Sequence, residues 1–185
     1  MDISYQILAK IDGYFRNIAS VQHNELIGDA GHQYCHTPIS FFSEALNLMK
    51  KREKTLNNKK FIDAGCGLGC LCEVARLNGL NAEGIELIPI LCDLSKQIFP
   101  EIKIHNMNVM DFNKYGEFDI IYYWLPFRNP ELQQIFKLKI EDETRIGSYI
   151  VMYEEEEKQE CGKDDRFISI DTNDIKNQVW QKIKA

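Results

Sequence analysis

The chain predicts a doubly wound α/β fold: a mostly parallel, seven-stranded sheet with an antiparallel last strand, and an N-terminal helical extension. Three observations predict it. Short apolar runs alternate with segments whose apolar residues recur at helical spacing. A glycine-rich turn joins the first of those runs to its helix, and an acidic residue closes the second. Repeated strand-helix units force parallel pairing, because each strand must cross back before it can lie beside its neighbour.

Ile3, Ile7, Leu8, Ile11, Tyr14, Phe15 and Ile18 fall at helical spacing and predict an amphipathic first helix. From Gly28 to Pro38 the chain carries too many turn formers for a helix; Pro38 then starts one that runs to about Lys51. Residues 1–36 thus read as a helix with a lid-like loop, and 37–185 as the binding domain, within one compact unit. Phe61-Ile62 is the first strand, followed by helix 69–78, strand 81–87, helix 89–98, strands 102–106 and 118–124, helix 129–140 and strand 147–153. The run 154–160, with five glutamates, is too charged to bury and reads as a connector. Residues 166–170 and 178–183 supply the last two strands, with a terminal helix as the alternative for the final one.

At 185 residues, with 44% apolar and 27% charged content, the composition is that of a soluble single domain. No apolar run approaches the roughly eighteen residues needed to span a bilayer, and the start lacks the order of a signal peptide, so the expected location is cytoplasmic with no membrane partner. A net charge of −6, with basic clusters only at Lys50-Lys51-Arg52 and Lys59-Lys60, argues against a nucleic-acid partner. Cys66, Cys70 and Cys72 miss the paired spacing that zinc sites prefer, and Cys35 between His32 and His36 has no second ligand pair, so no metal is expected. Buried reduced thiols account for the six cysteines.

The chemistry concentrates in Asp63-Ala64-Gly65-Cys66-Gly67-Leu68-Gly69. Glycines at 65, 67 and 69 allow positive φ and let a ligand approach where a Cβ would collide. Glu86, ending the second strand, can accept hydrogen bonds from both hydroxyls of a ribose. A dinucleotide loop needs a third glycine where this chain has Cys70, and Asp63 would repel a pyrophosphate. The same aspartate suits a cofactor that carries an ammonium or sulfonium group, and S-adenosylmethionine carries both.

On these residues, from about Thr37 to Tyr153, the chain resembles the class I S-adenosylmethionine-dependent methyltransferases, which implies a Rossmann-like fold. The resemblance assigns cofactor binding to Asp63, Ala64, Gly65, Gly67, Gly69, Glu86 and Leu87, and to Asn108 and Val109 in place of the family's third-strand acid, with Asp111 as the alternative register. Thr37, in a Thr-Pro pair ahead of the first strand, either reaches the carboxylate end of the cofactor or serves only as an N-cap. The fourth strand ends at Trp124, which should border the transferable methyl.

Acceptor identity must come from Tyr122-Tyr123-Trp124-Leu125-Pro126-Phe127. Amino-directed DNA methyltransferases carry a polar residue and paired prolines here, whereas this chain has Trp124 and Leu125, and no cysteine follows Pro126 for cytosine-C5 chemistry. A protein side chain or a small-molecule amine or hydroxyl is therefore the expected acceptor, with the chain a monomer or small oligomer. Tyr122, Tyr123, Trp124 and Phe127 offer π faces to a cation, and strand alternation should turn about half of them into core. If a catalytic acid or base is needed, Tyr123 and His32 are the candidates. The rival classes are a non-catalytic S-adenosylmethionine sensor or regulatory subunit, and a nicotinamide dehydrogenase with a degenerate loop.

Overall fold

The computed structural model describes residues 37–153, 165–170 and 177–185. The helix expected over 3–18, the loop bearing His32 and His36, and the acidic run 154–160 lie outside the described residues. The elements are α1 (Ile39–Arg52), β1 (Lys60–Ala64), α2 (Cys70–Leu77), β2 (Asn81–Glu86), α3 (Pro89–Ile98), β3 (Lys103–Asn106), a 3₁₀ turn (Tyr115–Glu117), β4 (Ile120–Tyr123), α4 (Pro130–Glu143), β5 (Tyr149–Tyr153), β6 (Phe167–Ile170) and β7 (Asn177–Lys182).

The strands form one sheet in the order β3-β2-β1-β4-β5-β7-β6. β1 pairs in parallel with both β2 and β4, so the order reverses at β1. β7 runs antiparallel between β5 and β6, as the sequence predicts for the last strand; the alternative of a terminal helix does not occur. Val179 supplies part of the reason, since it is fully buried opposite Val151, an environment a β-branched residue fills well.

Strand alternation divides the core in two. Phe61, Ile120, Tyr122, Val151 and Tyr153 face one side with Phe42 and Leu46 of α1 and Val74 of α2. Ile62, Ala64, Ile121, Tyr123, Ile150 and Met152 face the other, against Phe136 and Ile140 of α4. Helix starts follow local chemistry. Pro89 and Pro130 open α3 and α4, where a missing N–H costs nothing, and Asn129 Oδ1 accepts from Glu131 N at 2.9 Å and Leu132 N at 3.1 Å.

Several boundaries differ from the periodicity by one to three residues, and two of them have a clear local cause. β4 begins at Ile120, because residues 115–117 close into a 3₁₀ turn with Phe118 N donating to Tyr115 O at 3.1 Å. β1 reaches back to Lys60, whose N–H is held by Asp119 Oδ2 at 2.8 Å. Among the described residues no helix is long and apolar enough to cross a membrane.

Candidate active site

β1 delivers Asp63, 3% exposed, to the sheet edge where the strand order reverses. In register it lies between Gly84 of β2 and Tyr122 of β4. The chain then turns through Gly65 (φ +92°), Gly67 (φ +55°) and Gly69 (φ +78°), and Gly69 becomes the N-cap of α2. Left-handed backbone at three alternate positions needs glycine or pays strain at each. Gly65 N and Cys66 N both donate to Ile85 O at 2.9 Å, and Gly69 N donates to Cys66 O at 2.8 Å, so the bend is fixed against β2 and against itself.

Close packing holds the loop from below. A Cβ on Gly84 would stand 2.5 Å from Cys66 Sγ and 2.8 Å from Cys66 Cβ, and one on Gly69 would stand 2.9 Å from Ser95 Oγ. At Gly65 the same construction meets nothing within 4 Å, which leaves that side of the loop open to a ligand. A glycine inside a strand signals such an approach. Gly84, a glycine within β2, is the mark of that approach in the sequence.

Glu86 ties the loop to the end of β2. Its Oε2 accepts from Gly67 N at 2.9 Å and its Oε1 from Ile88 N at 2.8 Å. Burial pushes its carboxyl above the usual range, and the N–H groups of Ile88, Gly67 and Leu87 pull the other way without cancelling that shift. A carboxylate has about four acceptor positions, so Glu86 keeps capacity for a hydroxyl donor.

Asn106, which sequence reasoning passed over, donates from Nδ2 to Glu86 O and Leu87 O, both at 3.0 Å, and so sets the turn that carries the acid. Its amide at the end of a short strand has no sequence signature. Leu87 is 40% exposed beside it. Asn108 Oδ1 accepts from Met110 N at 2.9 Å, and Val109 is buried, its carbonyl held by Tyr115 Oη at 2.9 Å. This turn lies against the tip of β2, because Met107 N donates to Glu86 O at 3.1 Å.

Thr37 is buried and its hydroxyl hydrogen-bonds the Tyr122 hydroxyl. It is not the N-cap of α1: that position is Pro38, with no side-chain cap bond. Trp124 packs on the α1 face, its ring 5.1 Å from that of Tyr153. Tyr123 goes the other way. It is 2% exposed and lies 5.3 Å from the Phe136 ring on the α4 face. The structure thus brings Thr37, Asp63, Tyr122 and Trp124 to one face and separates Tyr123 from them. Of the four aromatics expected near the acceptor, Tyr122 and Tyr123 are both buried, on opposite faces. His32 lies outside the described residues.

Cys66, Cys70, Cys72 and Cys92 are buried free thiols. Cys66 Sγ donates to Gly67 O at 3.7 Å and Cys72 Sγ to Glu83 O at 3.4 Å; the neighbouring Cys72 thiol and burial push the Cys66 thiol well above its usual range, while burial is the largest influence raising Cys72.

No protein-family model matches the sequence, and no curated protein matches it either. Solved structures do. The chain is similar to an RNA methyltransferase of Salinibacter ruber in complex with S-adenosylhomocysteine (TM-score 0.61, 16% identity, covering 82% of this chain and 95% of that one). It is similar to the magnesium protoporphyrin IX methyltransferase of Synechocystis with bound S-adenosylmethionine (TM-score 0.59, 14% identity, 100% and 98% covered). A third is the 1,6-didemethyltoxoflavin-N1-methyltransferase of Burkholderia thailandensis, solved with its substrate and S-adenosylhomocysteine (TM-score 0.62, 11% identity, 100% and 92% covered). At such identities the likeness is one of fold: this chain has the Rossmann-like fold of the class I S-adenosylmethionine-dependent methyltransferases.

Proposed function

We propose that the chain transfers a methyl group from S-adenosylmethionine to an acceptor held at the ends of β4 and β5, with residues 37–185 as the binding domain and 1–36 as its cover. One observation carries the reading: two buried carboxylates, Asp63 and Glu86, flank a bend of three left-handed glycines at the sheet's point of reversal. Asp63 takes the cofactor's ammonium and Glu86 its ribose hydroxyls. Ala64, Gly65, Gly67 and Gly69 form the floor, Leu87, Asn108 and Val109 the adenine side, Thr37 the carboxylate end and Trp124 the border of the methyl. The open space at Gly65 and the spare acceptor capacity of Glu86 fit that occupant.

When bound, S-adenosylmethionine supplies a methyl carbon on a positively charged sulfur, and the protein's task is to align the acceptor with it. Burial of the Tyr123 side chain in the α4-side core supports a packing role for it over proton transfer. The solved neighbours act on acceptors as different as RNA, a porphyrin and a small heterocycle, so fold alone does not choose. The net charge of −6 supports a protein side chain or small molecule over RNA.

Calorimetric titration with S-adenosylhomocysteine tests the reading, followed by incubation of the protein with radiolabelled cofactor and a cell extract. Binding together with a labelled protein or small molecule is the expected result. Binding with no labelled acceptor would favour a sensor. Tight binding of a nicotinamide dinucleotide with no response to S-adenosylhomocysteine would overturn the reading, and labelled RNA would overturn the choice of acceptor.

A further inference from the structure

Three rings from three elements meet at the end of the sheet, on the face of Asp63. Trp124, directly after β4, stands edge-on to Tyr153, the last residue of β5, at 5.1 Å and 76°. Phe41 of α1 lies 4.7 Å from the same Tyr153 ring, tilted at 46°. Trp124 Nε1 is sealed from solvent and makes no hydrogen bond among the described residues. An indole N–H can only donate, and a buried donor with no acceptor calls for an explanation.

Besides the Asp63 carboxylate, this face carries a pair of hydroxyls that can also donate. The contact between the Thr37 and Tyr122 hydroxyls uses one of their two hydrogens. Burial raises the Tyr122 phenol well above its usual range, so it stays neutral.

The position of Trp124 is built rather than incidental. Leu125 follows it at φ +35°, a left-handed conformation that a bulky side chain rarely adopts. Two residues on, Phe127 N is held by Gln133 Oε1 at 3.2 Å, and the Phe127 ring packs on Phe136 at 5.7 Å. The strained turn thus sends Phe127 to the α4 face and leaves Trp124 on the cofactor face.

We infer that this corner seats the methyl acceptor, and that the acceptor is a flat aromatic oxyanion whose ring lies on the partly exposed Trp124, which the buried Tyr153 backs, and whose oxygen accepts the Trp124 indole hydrogen. The inference rests on the methyl-transfer reading and names its substrate class. Chemically, the oxygen's lone pair forms the new bond to the methyl carbon as the carbon–sulfur bond breaks. The two opposite charges cancel, giving a neutral ester or ether and S-adenosylhomocysteine, with no proton to move. Hydrogen-bond donors and π faces suffice for such a substrate.

The probe is 2-naphthoate, titrated into protein saturated with S-adenosylhomocysteine and followed through the ¹⁵N-labelled indole resonances of the chain's two tryptophans. The Trp124 resonance, assigned by its loss in Trp124→Phe, should shift on adding naphthoate. That variant should weaken naphthoate about tenfold to a hundredfold, the range for a hydrogen bond to a charged group. A Trp124 resonance that moves with S-adenosylhomocysteine and then ignores naphthoate would give the N–H to the cofactor and overturn the inference. So would tighter binding of 1-naphthylmethylamine than of naphthoate. If Trp124→Phe does not fold, Trp180→Phe assigns the remaining indole resonance to Trp124, and the titration of unsubstituted protein still decides. Failure of S-adenosylhomocysteine itself to bind would instead bring down the methyl-transfer reading.

Discussion

Gly67 donates its backbone N–H to Glu86 Oε2 at 2.9 Å, joining the loop after β1 to the end of β2 through a single side chain. The bond does two things. It fixes a left-handed residue of the loop, and it holds a buried carboxylate at the end of β2. Because burial raises the folded pKa of Glu86, its contribution to stability is full below the ordinary carboxylate range and is lost as pH rises through the raised value.

Ligand binding should run in the opposite direction. Ribose hydroxyls donate best to the ionised carboxylate, so affinity for S-adenosylhomocysteine should rise as pH climbs through the Glu86 titration and then level off. Glu86→Gln should flatten that slope and weaken binding at neutral pH. Calorimetry across pH 5 to 7.5 checks it; a slope that survives in Glu86→Gln would assign the titration to another group.

Asp63 sits in the same bend with 3% exposure. If it pairs with the cofactor's ammonium, Asp63→Ala should weaken S-adenosylmethionine by roughly tenfold to a hundredfold, the worth of a charged hydrogen bond of about 1.5–3 kcal/mol. Thermal unfolding of the variant should remain cooperative. Unchanged affinity in a folded variant would place the ligand elsewhere.

The sheet and the glycine bend after β1 were legible in the sequence for a physical reason: each reports itself locally. The apolar runs around Phe61, Ile85 and Ile121 must be continuous when both faces are covered, and the glycines at 65, 67 and 69 mark backbone that only glycine adopts readily. The direction of Tyr123 was not legible, because alternation says that neighbours diverge but not which of Tyr122 and Tyr123 meets α1. Nor was Asn106, whose two bonds reach carbonyls about 20 residues away and leave no trace in its own neighbourhood. The Phe41–Tyr153–Trp124 corner joins residues far apart in the chain and exists only once β5 lies beside β4.

Gly84 tests whether the loop depends on the strand beneath it. Gly84→Ala would place a methyl 2.5 Å from Cys66 Sγ and 2.9 Å from Ile104 Cδ1, so something must move. Overpacking of this kind costs about 1–3 kcal/mol, or on the order of 3–10 °C in Tm for a chain of this size. Cys66 is the residue most able to shift, and it lies between Gly65 and Gly67, so S-adenosylhomocysteine affinity should fall along with stability. Adding Cys66→Ala should recover part of both losses, since the two positions share one contact. Equal stability of Gly84→Ala and the unsubstituted protein would show that the packing is looser than these distances require.

Tyr123 separates proximity in sequence from proximity in space. It is adjacent to Tyr122 and Trp124 in the chain, yet its side chain lies on the α4 face, with its ring 5.3 Å from Phe136. Asp63, between Ile62 and Ala64, faces the other side of the same sheet, so β1 and β4 themselves stand between the Tyr123 phenol and the Asp63 carboxylate. Tyr123→Phe keeps the ring and its edge-to-face contact and removes only the hydroxyl. Once an acceptor is identified, the variant should therefore keep kcat/KM within about threefold of the unsubstituted enzyme, a loss of well under 1.4 kcal/mol in transition-state stabilisation. Tyr123→Ala should instead cost about 3–5 kcal/mol of stability, as expected when a buried aromatic is truncated. A drop of a hundredfold or more in kcat for Tyr123→Phe, with an unchanged melting temperature and an altered pH profile, would return Tyr123 to the role of proton carrier and require the end of β4 to turn over in the working enzyme.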